Sequence, residues 1–423
     1  MRGAAVTRRG VPMIAAALVL AALVSAAGIP EPWPSSPATV EAVAVADQAA
    51  VRTVEAPGLR PTAGHVAPVE GPVAGSTAGA GPVAGAAAAW PSSAEATIEE
   101  LIGQKLVVRV DGRTAGAGLR RRIRRGEIGG VVLFGFNVAS RSQLSALTAE
   151  LQAAAAAGGR PPLLIMVDQE GGAIRTVPWA PPTLSARQMG VDGRSETAGD
   201  QGAAAARALR RRGVNVDLAP VADVPSSTAS FMYLAGRTFA FGPRKVGRLA
   251  GAFADGLGSE RIVAAVKHFP GIGRARRNTD RNAVTIRASR SSLDTDLAPF
   301  RKAISRGIPV VMLSNAIYTA WDERNAAGWS RAISVDLLRA ELGFTGVTIT
   351  DSLSGTAVAR GTSGRRLAVR AARAGTDMVM LTSKEAATAE AFDLLVAKAR
   401  AGALPLDRLR ASYDRILALK SGL

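Results

Sequence analysis

The chain has 423 residues, no cysteine and two histidines, with 52 Lys+Arg against 34 Asp+Glu and a formal net charge of +18. The lack of Cys excludes a disulfide framework, thiolate metal sites, a catalytic Cys and a lipid-anchored Cys. Only His65 and His268 are present, which also excludes a histidine-rich metal site. With 48% apolar and 4% aromatic residues the chain is globular, and its length admits one large domain or two to three ordinary ones.

Arg2, Arg8 and Arg9 precede an uncharged stretch from Val11 to Gly28, followed by Pro30 and Pro32. A basic start, a short apolar centre and a small-residue exit at Ser25-Ala26-Ala27-Gly28 predict a signal peptide over residues 1–28. An uncleaved anchor is the alternative, because this stretch approaches the shortest length that spans a bilayer. Both readings export the remainder, to the cell envelope or the medium. Residues 29–94 are rich in Pro, Ala, Gly and Val without hydrophobic periodicity, and Gly71-Pro72-Val73-Ala74-Gly75 recurs at Gly81-Pro82-Val83-Ala84-Gly85. Such a segment buries too little apolar surface to offset chain entropy and reads as a flexible spacer. His65 lies inside it and is expected to be silent.

Residues 1–94 hold five arginines and five acidic residues, so the whole +18 belongs to residues 95–423. The cationic clusters there, such as Arg120-Arg121-Arg122 with Arg124-Arg125, have no interleaved aromatics on which bases could stack. Nucleic acid is therefore not the expected partner, and an anionic cell envelope suits the charge better.

From residue 95 onward eight apolar, β-branched runs follow one another: Lys105–Val110, Gly130–Phe134, Leu163–Val167, Val214–Leu218, Ile262–Val266, Val310–Leu313, Val347–Thr350 and Asp377–Leu381. Several are continuously apolar, as strands buried on both faces must be. Helices are predicted over Gln143–Ala157, Gln201–Arg212, Val246–Leu257 and Leu297–Ser305, with Gly213 and Gly307 as stops. Eight strand–helix units without a long spacer predict a single (β/α)8 barrel over 95–423. A doubly wound open sheet is the alternative, although no GxGxxG turn follows the first strand.

The carboxyl ends of barrel strands form the active face. Here those ends carry Asp168-Gln169-Glu170-Gly171-Gly172, Asp223, Lys267-His268, Asn315 and Asp351. Asp and Asn favour turns on their own account. Lys267-His268 ahead of Phe269-Pro270-Gly271 has no such explanation, and the set predicts a site for a polar ligand.

These residues resemble bacterial glycoside hydrolase family 3, in particular its single-barrel β-N-acetylglucosaminidases. The resemblance spans about residues 97–420. It rests on Gly129-Gly130-Val131-Val132-Leu133-Phe134, Val167-Asp168-Gln169-Glu170-Gly171-Gly172, Leu218-Ala219-Pro220-Val221-Ala222-Asp223, Lys267-His268-Phe269-Pro270-Gly271, and Leu342-Gly343-Phe344-Thr345-Gly346 leading into Thr350-Asp351-Ser352-Leu353. The resemblance implies a retaining enzyme with Asp351 as nucleophile, forming a covalent glycosyl-enzyme. It implies that Asp168, Arg237, Lys267 and His268 bind sugar hydroxyls, with Arg175 and Asn315 as further candidates. Arg175 stands one position before the family's second arginine, where this chain has Thr176. Glu170 and Asp223 read as structural groups that bond barrel loops. The implied substrate is a β-linked N-acetylglucosamine of peptidoglycan fragments, the implied state a monomer, and no metal or organic cofactor is called for.

The chain departs from the family at the acid/base. Single-barrel members carry a mobile loop after the fifth strand, reading like G-H-G-D-T-x-x-D-S-H, whose last His donates the proton. Here the stretch is Gly271-Ile272-Gly273-Arg274-Ala275-Arg276-Arg277-Asn278-Thr279-Asp280. A gapless match puts Asp280 at the histidine and Asn278 at its Asp partner. Three readings stay open: Asp280 is a carboxylic acid/base, with three neighbouring arginines acting to lower its pKa; another acid such as Glu323 swings in; or the barrel binds envelope sugars without cleaving them efficiently. Two-domain relatives draw their acid from a second domain, and the 72 residues after Asp351 are needed to finish the barrel.

Overall fold

A computed structural model describes residues 90–423, so the signal segment and nearly all of the spacer lie outside the described residues. Eight barrel strands run β1 (Leu106–Arg109), β2 (Gly130–Val132), β3 (Leu164–Val167), β4 (Val216–Asp217), β5 (Val263–Phe269), β6 (Val310–Leu313), β7 (Val347–Thr350) and β8 (Val379–Leu381). They pair in the order β7-β6-β5-β4-β3-β2-β1-β8, every pair parallel. The ring closes through a parallel bridge between Ile349 and Met378, where Met378 N donates to Thr348 O at 2.8 Å and Thr350 N to Met378 O at 3.0 Å. This closure makes the fold a (β/α)8 barrel and removes the open-sheet alternative.

The period-two alternation of the strands explains why their sequences are apolar throughout. One set of side chains, including Val107, Val132, Leu164, Met166, Val216, Ala265, Val310 and Ile349, fills the barrel interior. The alternate set, including Val108, Val131, Ile165, Val266, Val311 and Leu381, packs outward against the helices. Two strands, β6 and β7, have the expected bounds, and the others differ at their ends.

Two helices begin a turn or more before the expected start. Helix Ser195–Arg210 starts ahead of Gln201, and helix Arg290–Ser305 ahead of Leu297. In the first, Gly199 lies just ahead of the expected start and Gly202 just inside it, where the helix meets its neighbour Pro243–Ser259. A Cβ on Gly202 would stand 2.3 Å from Phe253 O, so the close approach requires glycine there. In the second, Pro299 sits inside the helix, well past its start at Arg290.

The lower end of the barrel is held by Asp377, which is fully buried just before β8. It accepts from Arg339 Nη2 (2.5 Å), Arg415 Nη2 (2.7 Å), Thr348 N (2.8 Å) and Thr348 Oγ1 (2.9 Å). Burial alone would raise its pKa, but the charges of Arg339 and Arg415 outweigh that and hold it below the usual Asp range. Asp377→Ala is predicted to destabilise the barrel by about 3 kcal/mol, because two guanidinium groups lose their buried partner. Denaturant unfolding checks this. A depressed carboxylate pKa stabilises above the unfolded value and loses that contribution on acidification, so the gap between wild type and variant narrows as the pH falls through the Asp range.

Candidate active site

The carboxyl ends of the strands open into a cavity of about 310 Å³. Its floor is the last apolar layer of the barrel, Phe134, Leu218, Met312 and Met380. Its walls carry Asp168, Arg237, Lys267, His268, Asp280, Asp351, Ser352 and Thr382, and Phe231, Ile272 and Val358 add apolar surface. An apolar cavity with a few convergent polar groups is the usual form of a small-ligand site.

One charge network sets one wall. Lys267, within β5 and 1% exposed, is 2.5 Å from Asp168 Oδ1 and 2.6 Å from Glu170 Oε1. Arg237 grips the same Glu170 bidentately, with Nη2 to Oε1 at 2.7 Å and Nε to Oε2 at 2.8 Å. Burial alone would raise Glu170, but the charges of Arg237 and Lys267 outweigh it and bring the carboxyl down to about 2. Burial likewise works against the Lys267 cation, yet Asp168 and Glu170 push it up to about 12. The cluster therefore holds Lys267 and Arg237 as cations and Glu170 as an anion at any working pH.

His268 follows on the same strand. Its Nδ1 is 2.7 Å from Asp223 Oδ2, which orients the ring, and its Nε2 lies 3.4 Å from Arg237 Nη2. Asp223 Oδ1 accepts from Ile272 N at 2.8 Å and from His268 N at 3.3 Å, tying the loop after β4 to the loop after β5. Glu170 and Asp223 thus occupy the bonding positions expected of them.

Asp351 and Asp280 share the cavity. Asp351 follows β7, and Ser352 N donates to its Oδ1 at 2.7 Å. Removal from water raises its pKa, against the opposing charges of His268 and Lys267. Asp280 arrives from the long loop after β5 and is pushed up to about 8, first by loss of water contact and then by the charge of Asp351. The three arginines do not lower it as expected. Arg276 and Arg277 are exposed, and Arg274 turns away to Asp296 at 2.7 Å. Water screens the first two and a carboxylate neutralises the third.

That loop is pinned along its length. Tyr318 OH donates to Gly271 O (3.0 Å), Ser226 N to Gly273 O (3.2 Å) and Phe231 N to Ala275 O (2.8 Å). Thr285–Ile286 then pairs with Ile317–Tyr318 in a small sheet completed by Asp322–Ala326. Asn278 does not contact a catalytic ring, as its counterpart in the family pattern would. Its Oδ1 accepts from Asp280 N at 2.8 Å and shapes the turn.

Asp168, Arg237, Lys267, His268, Asp280 and Asp351 are thus brought together. Arg175 is not among the lining residues, and its Nε donates to Gly172 O at 2.9 Å within a short hairpin. Asn315 is fully buried and also outside the lining. Glu323 is exposed on the strand Asp322–Ala326, likewise away from the cavity wall. One group escaped sequence reasoning. Asp217 in β4 is fully buried, accepts from Gln169 N at 3.0 Å, and is driven well above the carboxylate range by burial. Its only signal was an acid inside an apolar strand.

The glycosyl hydrolase family 3 N-terminal domain matches residues 97–419. A protein described as an uncharacterized secreted glycosyl hydrolase of Arthroderma benhamiae is 36% identical over 330 residues, covering 76% of this chain and 92% of that one. A β-hexosaminidase of Tolumonas auensis is 33% identical over 68% of this chain and 85% of its own length. Among solved structures, a family 3 β-N-acetylglucosaminidase from a Paenibacillus species superposes with a TM-score of 0.75 at 31% identity. That alignment covers 77% of this chain and 62% of the longer Paenibacillus chain. With the match running the length of the barrel and the strand-end motifs meeting in one cavity, the chain belongs to glycosyl hydrolase family 3.

Proposed function

We propose that this chain is an exported, retaining β-N-acetylhexosaminidase that releases terminal β-linked N-acetylglucosamine from cell-wall glycan fragments. It works as a monomer in which residues 1–28 direct export and residues 29–94 space the barrel from the envelope. The observation that carries this reading is the pairing of Asp351 and Asp280 in one cavity, with one carboxyl's charge raising the pKa of the other. The names of the Tolumonas and Paenibacillus proteins support the sugar class, and the Arthroderma protein supports export.

Two carboxyls that repel share one proton at neutral pH. Asp351, with Ser352 N and the charges of His268 and Lys267 on its side, is the ionised partner. It attacks the anomeric carbon while Asp280 gives its proton to the departing glycosidic oxygen. The bond from Asp351 to the sugar then removes the negative charge that held Asp280 up. Asp280 therefore becomes a better anion, takes a proton from water, and that water displaces Asp351 from the sugar. Asp168, Lys267, Arg237 and His268 supply charge-assisted hydrogen bonds to the hydroxyls of the ring.

Asp351→Ala is predicted to lower kcat/KM on nitrophenyl β-N-acetylglucosaminide at least about a thousand-fold. Treatment of the wild type with a fluorinated N-acetylglucosaminyl trap is expected to leave a mass adduct on the peptide bearing Asp351. Saturable sugar binding with neither turnover nor adduct would instead mark a binding protein. The pH profile of kcat/KM should rise as Asp351 ionises and fall as Asp280 loses its proton near pH 8. Asp280→Asn should abolish the falling limb and cost roughly 10²- to 10⁴-fold on chitobiose. It should cost far less on a dinitrophenyl glycoside, whose leaving group needs no proton.

A further inference from the structure

The loop after β6 and the loop after β7 meet the acid loop at a single side chain. Asn315 Nδ2 donates to Ser352 O at 3.0 Å and to Asp280 Oδ1 at 3.3 Å. Ser352 O is a backbone carbonyl and accepts only, so the amide cannot present its oxygen in that direction. The NH2 group must therefore be the part that faces Asp280. Arg360 Nη2 donates to Asn315 O at 2.9 Å and fixes the backbone from the helix after β7. Asn315 Oδ1 is buried and has no hydrogen-bond partner. The side chain is thus aimed by its donor end alone, at the cost of leaving its acceptor unmet.

We infer that Asn315 is a positioning residue for the acid/base, confining the proton of Asp280 to Oδ2 by occupying Oδ1 with a donor. This inference rests on the reading of Asp280 as the acid. A carboxyl oxygen that accepts from an NH2 group cannot also carry the proton along that line. Asn315 consequently decides which oxygen of Asp280 delivers the proton, and by favouring the ionised form it also limits how far the pKa rises. The other charges acting on Asp280 are Asp351 after β7, Asp168 after β3 and Arg237 after β4. The first two raise its pKa and Arg237 lowers it, as Asn315 does. The same contact replaces Asn315 as a sugar ligand, since its NH2 group is committed to Asp280 and Ser352 and the residue does not line the cavity.

The test compares Asn315→Ala and Asn315→Asp with wild type over a full pH range. Loss of the donor should move the falling limb of kcat/KM to higher pH in Asn315→Ala, and Asn315→Asp should move it further, because a second carboxylate then faces Asp280. On chitobiose, kcat/KM should drop roughly ten-fold at neutral pH, within the range of a general-acid contribution. On the dinitrophenyl glycoside it should stay near wild type, as should inhibition by N-acetylglucosamine. Equal losses on both substrates with weakened inhibition would overturn the inference, by making Asn315 a sugar ligand. An unmoved falling limb in a variant whose melting matches wild type would overturn it as well. Asp280→Asn separates the two levels: if it keeps the falling limb, the assignment of Asp280 fails, whereas if it loses the limb and Asn315→Ala does not shift it, only the role of Asn315 fails.

Discussion

Glu170 is the anion on which the upper end of the barrel depends. Two cations, Lys267 and Arg237, are buried at the top of β5 and in the loop after β4, where a bare charge would cost several kcal/mol. One oxygen of Glu170 meets both of them. With both cations held in place, Lys267 reaches Asp168 and Arg237 stands beside His268, so the donors that line one wall are fixed before any ligand arrives. Preorganised donors of this kind need no rearrangement when they bond a sugar. The nearby Asp217 has no cation in hydrogen-bond contact, and burial raises its pKa well above the ordinary Asp value.

The opposite wall uses the reverse arrangement. Burial raises the pKa of both Asp351 and Asp280; the charge of Asp351 raises Asp280 further against Arg237, while His268 and Lys267 act against the rise at Asp351. On the proposed reading Asp351 is the ionised partner because it has the closer support: it accepts from Ser352 N at 2.7 Å and meets the charges of His268 and Lys267, whereas Asp280 accepts from Asn315 at 3.3 Å. The separation is also self-cancelling. In the proposed mechanism, esterification of Asp351 would end the repulsion, and the acid would become a base without any movement of the loop.

Much of this was legible in the sequence because barrel strands announce themselves twice, as apolar runs and as the polar residues that end them. Val347–Thr350 followed by Asp351, and the β5 run followed by Lys267-His268, carried both signals. Helix starts were less legible where glycine served packing, as at Gly199 beside Ala252, since spacing along one chain does not reveal how close a neighbour lies. Asn315 marked a strand end, but its partner Asp280 is 35 residues earlier, and a contact of that separation has no local signature. The pKa of Asp280 was misjudged for a related reason. Counting neighbouring arginines treats sequence distance as spatial distance, whereas Arg276 and Arg277 face water and Asp351, 71 positions away by number, faces the acid.

The proposed exchange of an acid histidine for Asp280 would account for a loop after β5 that is so firmly held. An imidazole has an ordinary pKa near 6.5 and is ready to donate wherever a loop carries it. An aspartate in water is ionised at that pH and useless as an acid. It becomes one only when kept away from water and next to another anion, and both conditions vanish if the loop swings out. The fixed contacts of Tyr318 with Gly271, Phe231 with Ala275 and Asn315 with Asp280 supply that permanence. Even the helix after β7 is shaped for it, since a Cβ on Gly355 would stand 2.7 Å from Asp280 O and drive the acid from its seat. On the proposed assignment, a carboxyl in place of a tunable ring would shift the burden of catalysis from the chemistry of one side chain to the placement of the whole loop.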